Sequence, residues 1–375
     1  MFAGGLIGFI IPYSGFNSKL NNIQTQLQGF SQNPTYLSNA NLTYLVGSNV
    51  SLSSLYLQVK PSVVVIQDLV PEYNFFGNLA GYTQQKGSGF ITTVDNQLVI
   101  VTNNHVLQDA INETVTFADG SAYPATVLGS DPLSDLAVLS IKPMPSGLTP
   151  LTFVSSETLN VGDPVVAVGS PYGLSGTLTT GVISALGRTI TEQSSSSNSG
   201  QTIPDIIQTS TAINPGTPGG PLISYAGEVV GITTAGISNS QGLGFAIPSD
   251  TITRELGSLV TSGSYTQHPT INAEGTDLNY QIAHAMGTNV TYGWLVESVS
   301  SQNGLKGGTT QTAILGSNII LGGDIITAIN GVRITNTDDL LSYLEQRTLP
   351  GQTAHFTVIR SGQTQTISVT IGKLS

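Results

Sequence analysis

The chain has 375 residues, 22 acidic against 11 basic side chains, and no cysteine. Its net charge of -11 offers none of the basic footprint that a phosphate backbone requires, which excludes nucleic acid as the main partner. The missing cysteines exclude disulfide scaffolds, thiol catalysis and thiolate metal sites, and the length favours two domains.

Only 9% of residues are charged, and 43 are glycine, a balance that favours short strands and many turns over long charged helices. In chain order, "MFAGGLIGFIIPY" is apolar for about a dozen residues, short of the roughly 20 that a spanning helix needs. It reads as part of a signal anchor, with a disordered or protein-packed terminus as the alternative. Leu20, Ile23, Leu27 and Phe30 then fall at helical spacing. Residues 1–57 are therefore an N-terminal region of apolar segment and short helix.

From residue 58 to 250 the pattern is β. "SVVVIQ", "GSGFITT", "QLVIVTN", "ATVLGS", "LAVLSI", "PVVAVGS" and "EVVGITT" are short β-branched runs between Gly, Pro, Asp and Asn, the pattern of a barrel or sandwich. A Ser-rich run over 192–201 reads as a surface loop. Residues 251–268 form the stretch between units, opening as a helix capped by Ser249 or Asp250. Residues 269–375 mix strands with two helices, "TDLNYQIAHAMG" and "NTDDLLSYLEQ", the latter capped by Asn336 or Thr337.

Acyl transfer by a serine hydrolase needs a hydroxyl nucleophile, a histidine base, an orienting carboxylate and N–H donors for the oxyanion. Of the four histidines, only His105, in "LVIVTNNHVLQDA", lies where a strand ends in polar residues and a turn. Asp135, in "DPLSDLAVLSI", enters an apolar strand and needs a partner if buried. A pairing of the two satisfies that need. No metal or cofactor is expected, because the remaining acids and His show no ligand spacing.

These runs, with "GDPVVAVGSPYGLSGTLTTGVISALGR", "QTSTAINPGTPGGPL" and "GLGFAIPSD", resemble the successive motifs of the HtrA/Deg family of trypsin-like proteases. The resemblance implies a mainly β chain: a chymotrypsin/trypsin-like double β-barrel followed by an α+β PDZ domain. It makes His105 the general base and Asp135 its orienting acid. The family's Gly-Asn-Ser-Gly-Gly becomes Gly216-Thr217-Pro218-Gly219-Gly220, so Pro218 stands at the nucleophile position, beside the oxyanion-hole remnant Gly216 and Thr217. Proline has neither the hydroxyl nor the backbone N–H of the residue it replaces. Thr217 is an unsuitable substitute, since a one-residue shift on a tight loop redirects the side chain away from the base. The bland alternative for His105 and Asp135 is a structural pair kept to satisfy the acid.

In the PDZ part, the family's peptide-carboxylate loop corresponds to Thr270, Ile271, Asn272 and Ala273, with Asn272 in place of glycine; asparagine tolerates left-handed backbone angles. Trp294 reads as core. The resemblance further implies unfolded or extended polypeptide as partner, a homotrimer and an extracytoplasmic location, and the apolar N-terminal segment suggests membrane association. Tyr73, Phe75, Phe76 and Tyr82 suit a trimer contact, or else fold back on their own barrel. The expected function is binding without catalysis, in protein quality control as a chaperone or scaffold; the alternative is an active serine endopeptidase.

Overall fold

In a computed structural model, which describes residues 51–170, 176–192, 201–234, 242–301 and 303–374, the β-branched runs close into two six-stranded antiparallel barrels. The N-terminal apolar segment, the helix expected over 20–30 and the interior of the Ser-rich run lie outside the described residues. Helix α1 (Leu52–Val59) leads into barrel 1, made of β1 (Val63–Tyr73), β2 (Leu79–Val94), β3 (Gln97–Thr102), β4 (Thr114–Thr116), β5 (Ala122–Asp131) and β6 (Leu136–Ile141), with helix α2 (Asn104–Leu107) after β3. Barrel 2 comprises β7 (Pro164–Gly169), β8 (Thr177–Glu192), β9 (Gln201–Thr209), β10 (Pro221–Ser224), β11 (Val229–Thr234) and β12 (Gly244–Pro248).

The strand sequences read as unbroken apolar runs because both faces of each strand are covered. Side chains alternate across a strand, so Val64, Ile66, Ile91, Ile100 and Leu139 fill barrel 1. Their neighbours Val63, Phe90, Val101 and Val138 point the other way, into a seam shared with Val166, Val168, Ile206 and Ile232 of barrel 2. The odd-numbered Val165, Ala167 and Ile183 fill barrel 2 itself.

Helix α3 (Ser249–Ser262) closes this seam with Ile252, Leu256 and Leu259. Thus most of residues 251–268 are helical and share the barrels' core. The helix starts at Ser249, after Pro248, without a side-chain cap. Ser249 instead donates its hydroxyl to the carbonyl of Val154, and Asp250 accepts from Ser155, Ser156 and the amide of Glu157, which ties the helix start to the loop before barrel 2. Gly263, at φ 79°, ends it in the left-handed conformation that favours glycine.

The β1–β2 hairpin runs on beyond barrel 1. At its end Phe75 is 99% and Phe76 83% exposed, with Tyr73 and Tyr82 also largely in solvent. The four rings do not fold back on their own barrel.

The C-terminal unit is built on the strand path β14 (Ala273–Asp277), β15 (Trp294–Val299), β18 (Ile325–Ile329), β20 (Thr353–Arg360) and β21 (Gln363–Thr370), with β19 (Val332–Arg333) beside β18. Two small pairs accompany it: β13 (Pro269–Thr270) with β22 (Gly372–Lys373), and the hairpin β16 (Thr310–Ile314) and β17 (Ser317–Leu321). Asn279 caps α4 (Tyr280–Ala285) and Asn336 caps α5 (Thr337–Arg347), each accepting the amide three residues on. Trp294 is buried in this unit's core with Phe356, Val358 and Leu340. Among the described residues no helix is long and apolar enough to cross a membrane.

Because Ile252 is fully buried where both barrels and α3 meet, Ile252→Ala is expected to cost about 2–5 kcal/mol, read as a lowered denaturant midpoint at constant m.

Candidate functional site

Strand β3 ends at Thr102 and turns into the one-turn helix α2, which carries His105; Asp135 sits at the mouth of β6. Asp135 is only 2% exposed and has φ 53°, a left-handed angle rare for a non-glycine residue. Its Oδ1 accepts the His105 amide at 2.9 Å, and its Oδ2 accepts the Thr234 hydroxyl at 2.8 Å and faces His105 Nδ1 at 2.8 Å. A carboxylate can only accept, so Nδ1 carries the proton and the tautomer is set. The carbonyl of Asp135 in turn receives the amide of Asn104 and the side-chain amide of Asn103. The histidine ring stays partly open, at 26% side-chain exposure. Thr234 comes from β11, so the pair lies where the two barrels meet.

The loop 216–220 lies between β9 and β10 of barrel 2, and four of its carbonyls accept hydrogen bonds. Ser88 is the main clamp: its hydroxyl donates to the carbonyl of Gly216 at 2.7 Å, its amide donates to the carbonyl of Pro218 at 2.8 Å, and its Oγ receives the amide of Ser170 at 2.9 Å. Thr233 donates its hydroxyl toward the carbonyls of Thr217 and Gly220, both at 3.0 Å. Gly216 and Gly219 have φ 88° and 87°, and a Cβ on Gly219 would collide with the Ser88 carbonyl. The methyl of Thr217 packs on Gly169 of β7 and the residue is buried.

Pro218 carries no hydroxyl, and its nitrogen has no hydrogen to donate. The arrangement thus holds an oriented imidazole with a fixed tautomer on barrel 1 and, on barrel 2, a loop without a hydroxyl at residue 218.

Ile271 and Asn272 connect β13 to β14 in the C-terminal unit. Asn272 has φ 50°, a left-handed angle that asparagine tolerates, and its side chain lies over Gly372 of β22. Its amide donates to Thr270 Oγ1 at 3.0 Å, and its carbonyl accepts from Ser300. Ile271 is buried in the core, and its carbonyl accepts from Asn303. Among the described residues β14 pairs only with β15, which leaves its other edge open. Helix α5 joins the end of that strand through Thr337, whose amide and hydroxyl both donate to Asp277 at 2.6 Å.

A model of the trypsin-like peptidase domain matches residues 87–232, and one of the PDZ domain matches residues 296–371. Protease Do-like 1, chloroplastic, of Arabidopsis thaliana is 38% identical over 322 residues, covering 84% of this chain and 70% of its own. The chain belongs to the HtrA/Deg family. Serine protease PepD of Mycobacterium tuberculosis is 34% identical over 86% of this chain and 66% of its own, and a probable periplasmic serine endoprotease DegP-like of Rhizobium meliloti is 37% identical over 77% and 53%. The chain thus spans between half and about two thirds of the length of these last two relatives. Among solved structures, the HtrA-type protease AlgW with a tripeptide superposes with TM-score 0.64 at 30% identity, covering 87% of this chain and 98% of that one. The same protease with a decapeptide gives 0.61 at 29% identity.

His105 and Asp135 are brought together, with Pro218 and its neighbours on a separate loop of the other barrel. Ser88, Thr233 and Thr234 were not singled out in the sequence; the one signal for Ser88 is its place between two glycines in "KGSGF". Ser88→Ala removes the donor to Gly216 and the acceptor for Ser170 in a buried place, and is expected to cost about 1–3 kcal/mol in chemical unfolding.

Proposed function

We propose that this HtrA/Deg-family chain binds extended polypeptide without cleaving it, as a chaperone or scaffold of extracytoplasmic protein quality control. The observation that carries this reading is Pro218. Acyl transfer needs a nucleophile and a paired set of oxyanion donors, and loss of one donor alone lowers rate by about 10²–10³. His105 and Asp135 act here as a structural pair: together with Thr234 they satisfy a buried carboxylate, and their geometry needs no reaction to maintain it.

The substrate class follows from the C-terminal unit. An open strand edge at β14 beside a helix is the arrangement in which PDZ domains add an extended peptide as a further strand. Thr270, Ile271, Asn272 and Ala273 form its carboxylate end, with the Asn272 amide turned inward to Thr270. Solved relatives are named with a decapeptide and a tripeptide, and several curated relatives are named periplasmic, which supports peptide as ligand and an extracytoplasmic site of action. Residues 1–13, outside the described part, provide membrane association.

The assembly in this reading is a homotrimer joined through Tyr73, Phe75, Phe76 and Tyr82, rings otherwise costly to leave in water. Phe75→Ser with Phe76→Ser is expected to convert the trimer to a smaller species in size-exclusion chromatography with light scattering; an unchanged mass removes the hairpin from the interface.

The central test uses casein unfolding-substrate cleavage and fluorophosphonate labelling of the full chain and of Pro218→Ser. The parent is expected to do neither, and the serine variant to gain label. Labelling of the parent would establish the alternative, an active serine endopeptidase, and the labelled residue would be its nucleophile.

A further inference from the structure

Where the C-terminal unit meets barrel 2, acidic and basic side chains far apart in sequence converge in a buried cluster. His268, in the segment entering that unit, faces Asp131 at the end of β5 with Nε2 2.7 Å from Oδ2, and its Nδ1 lies 3.5 Å from Glu345 on α5. Arg254 of α3 lies between two acids, with Nη2 2.5 Å from Glu345 and 3.1 Å from its neighbour Glu255. Glu255 is fully buried, accepts the Ser134 hydroxyl at 2.8 Å and shares a hydrogen bond with the carboxylate of Asp131. On β9, Asp205 accepts from Gln346 of α5 at 2.6 Å. Tyr265 stacks edge-on against His268 and underlies Arg254. Asp250 of α3 is the remaining acid that faces Asp205. At the rim, Arg188 pairs with Asp338 and Arg347 approaches Glu157, both in solvent.

We propose that this cluster is a proton-operated clasp, which holds α5 of the C-terminal unit against barrel 2 while protonated and lets it go as protons leave. The charge count supports it. With Glu255 and Asp205 neutral, Asp131 and Glu345 are balanced by Arg254 and His268. Each proton lost adds an uncompensated negative charge to a dry site, which is costly.

The environment places those losses at neutrality and above it. Burial and the charge of Asp131 lift Glu255 to about 8, and burial, helped by Glu345 against the Gln346 hydrogen bond, lifts Asp205 to about 7. Burial alone would lower His268, but its hydrogen bonds to Asp131 and Glu345 prevail and raise it to about 10. When the clasp opens, water restores ordinary values. For acids raised on closing, and for a histidine raised on closing, the closed state binds more protons, so closure weakens as pH climbs through 7, 8 and 10. At the acid end burial pushes Asp131 up, yet His268 holds it below its ordinary value, so its contribution persists until pH falls through that lowered value.

A cavity of about 180 Å³ adjoins the cluster, lined by residues of both units including Ile203, Leu341 and His268. It offers water a first place to enter. The clasp also reaches the His105 pair. Asp131 accepts the amide of Leu133, Ser134 bonds Glu255, and the next residue is Asp135. One tight turn therefore connects α5 to the carboxylate that orients His105. The clasp is independent of whether the cleft reacts.

Because the chain has no cysteine, the exposed Val161 of barrel 2 and Leu315 of the C-terminal unit can be replaced by cysteine and spin-labelled in the full chain. A distance readout is needed because Asp68, buried in barrel 1, is also lifted to about 7 by burial and Glu113 and would colour any global stability curve. One narrow distance distribution is expected near pH 6, and a broadened one above about pH 8.5. Glu255→Gln, which fixes the neutral form, is expected to move that midpoint up by about one unit or more. Asp131→Asn removes the His268 partner and is expected to broaden the distribution already near pH 6. A wild-type distribution constant from about pH 5.5 to 9.5, or an unmoved midpoint in Glu255→Gln, overturns the clasp.

Discussion

A carboxylate taken out of water must be met by donors, and the buried Asp135 is the point on which the cleft depends. Its two oxygens draw in the amide and ring of His105 from barrel 1 and the hydroxyl of Thr234 from barrel 2. The end of β3, the start of β6 and the end of β11 are therefore fixed relative to one another by one desolvated charge. Its left-handed backbone aims the carboxylate inward at a conformational cost of order 1–3 kcal/mol, which the surrounding hydrogen bonds offset.

That loop obeys a second, separate set of constraints. Its carbonyls are received by Ser88 and Thr233, and the left-handed Gly219 leaves room for the barrel 1 backbone. Proline fits because the loop uses the carbonyl of residue 218 and makes no demand on its amide. The scaffold thus positions the His105 ring and the 216–220 loop through different sets of hydrogen bonds.

The strands of the barrels were legible because "SVVVIQ" or "PVVAVGS" is β-branched throughout and covered on both faces. Others were not. The three-residue β4 carries too little pattern, half of β8 is Thr, Gly and Ser, and in the β16–β17 hairpin the apolar Ile314, Ile319 and Leu321 are set among Thr, Gln, Ser and Asn. Helix α3 was visible in its apolar spacing, but not its start, because Ser249 and Asp250 serve a neighbouring loop in place of their own helix end. His105 and Asp135 could be found as residues that need each other, and Asn272 as one suited to left-handed angles. The cluster of Asp131, Glu255, His268 and Glu345 could not, since it joins four distant segments with no spacing to betray it. Ser88 is an ordinary serine until the second barrel is laid against it.

The hairpin that carries Phe75 and Phe76 shares no core with the barrel from which it extends. Substitutions at its end leave the packed interior untouched, and a two-stranded ribbon has little stability of its own to lose. Selection on the fold and selection on what the tip touches therefore act on different residues. Over evolutionary time the tip can change its partner, or shed one, at the pace of a surface loop, while the barrels drift at the slower pace of a close-packed core.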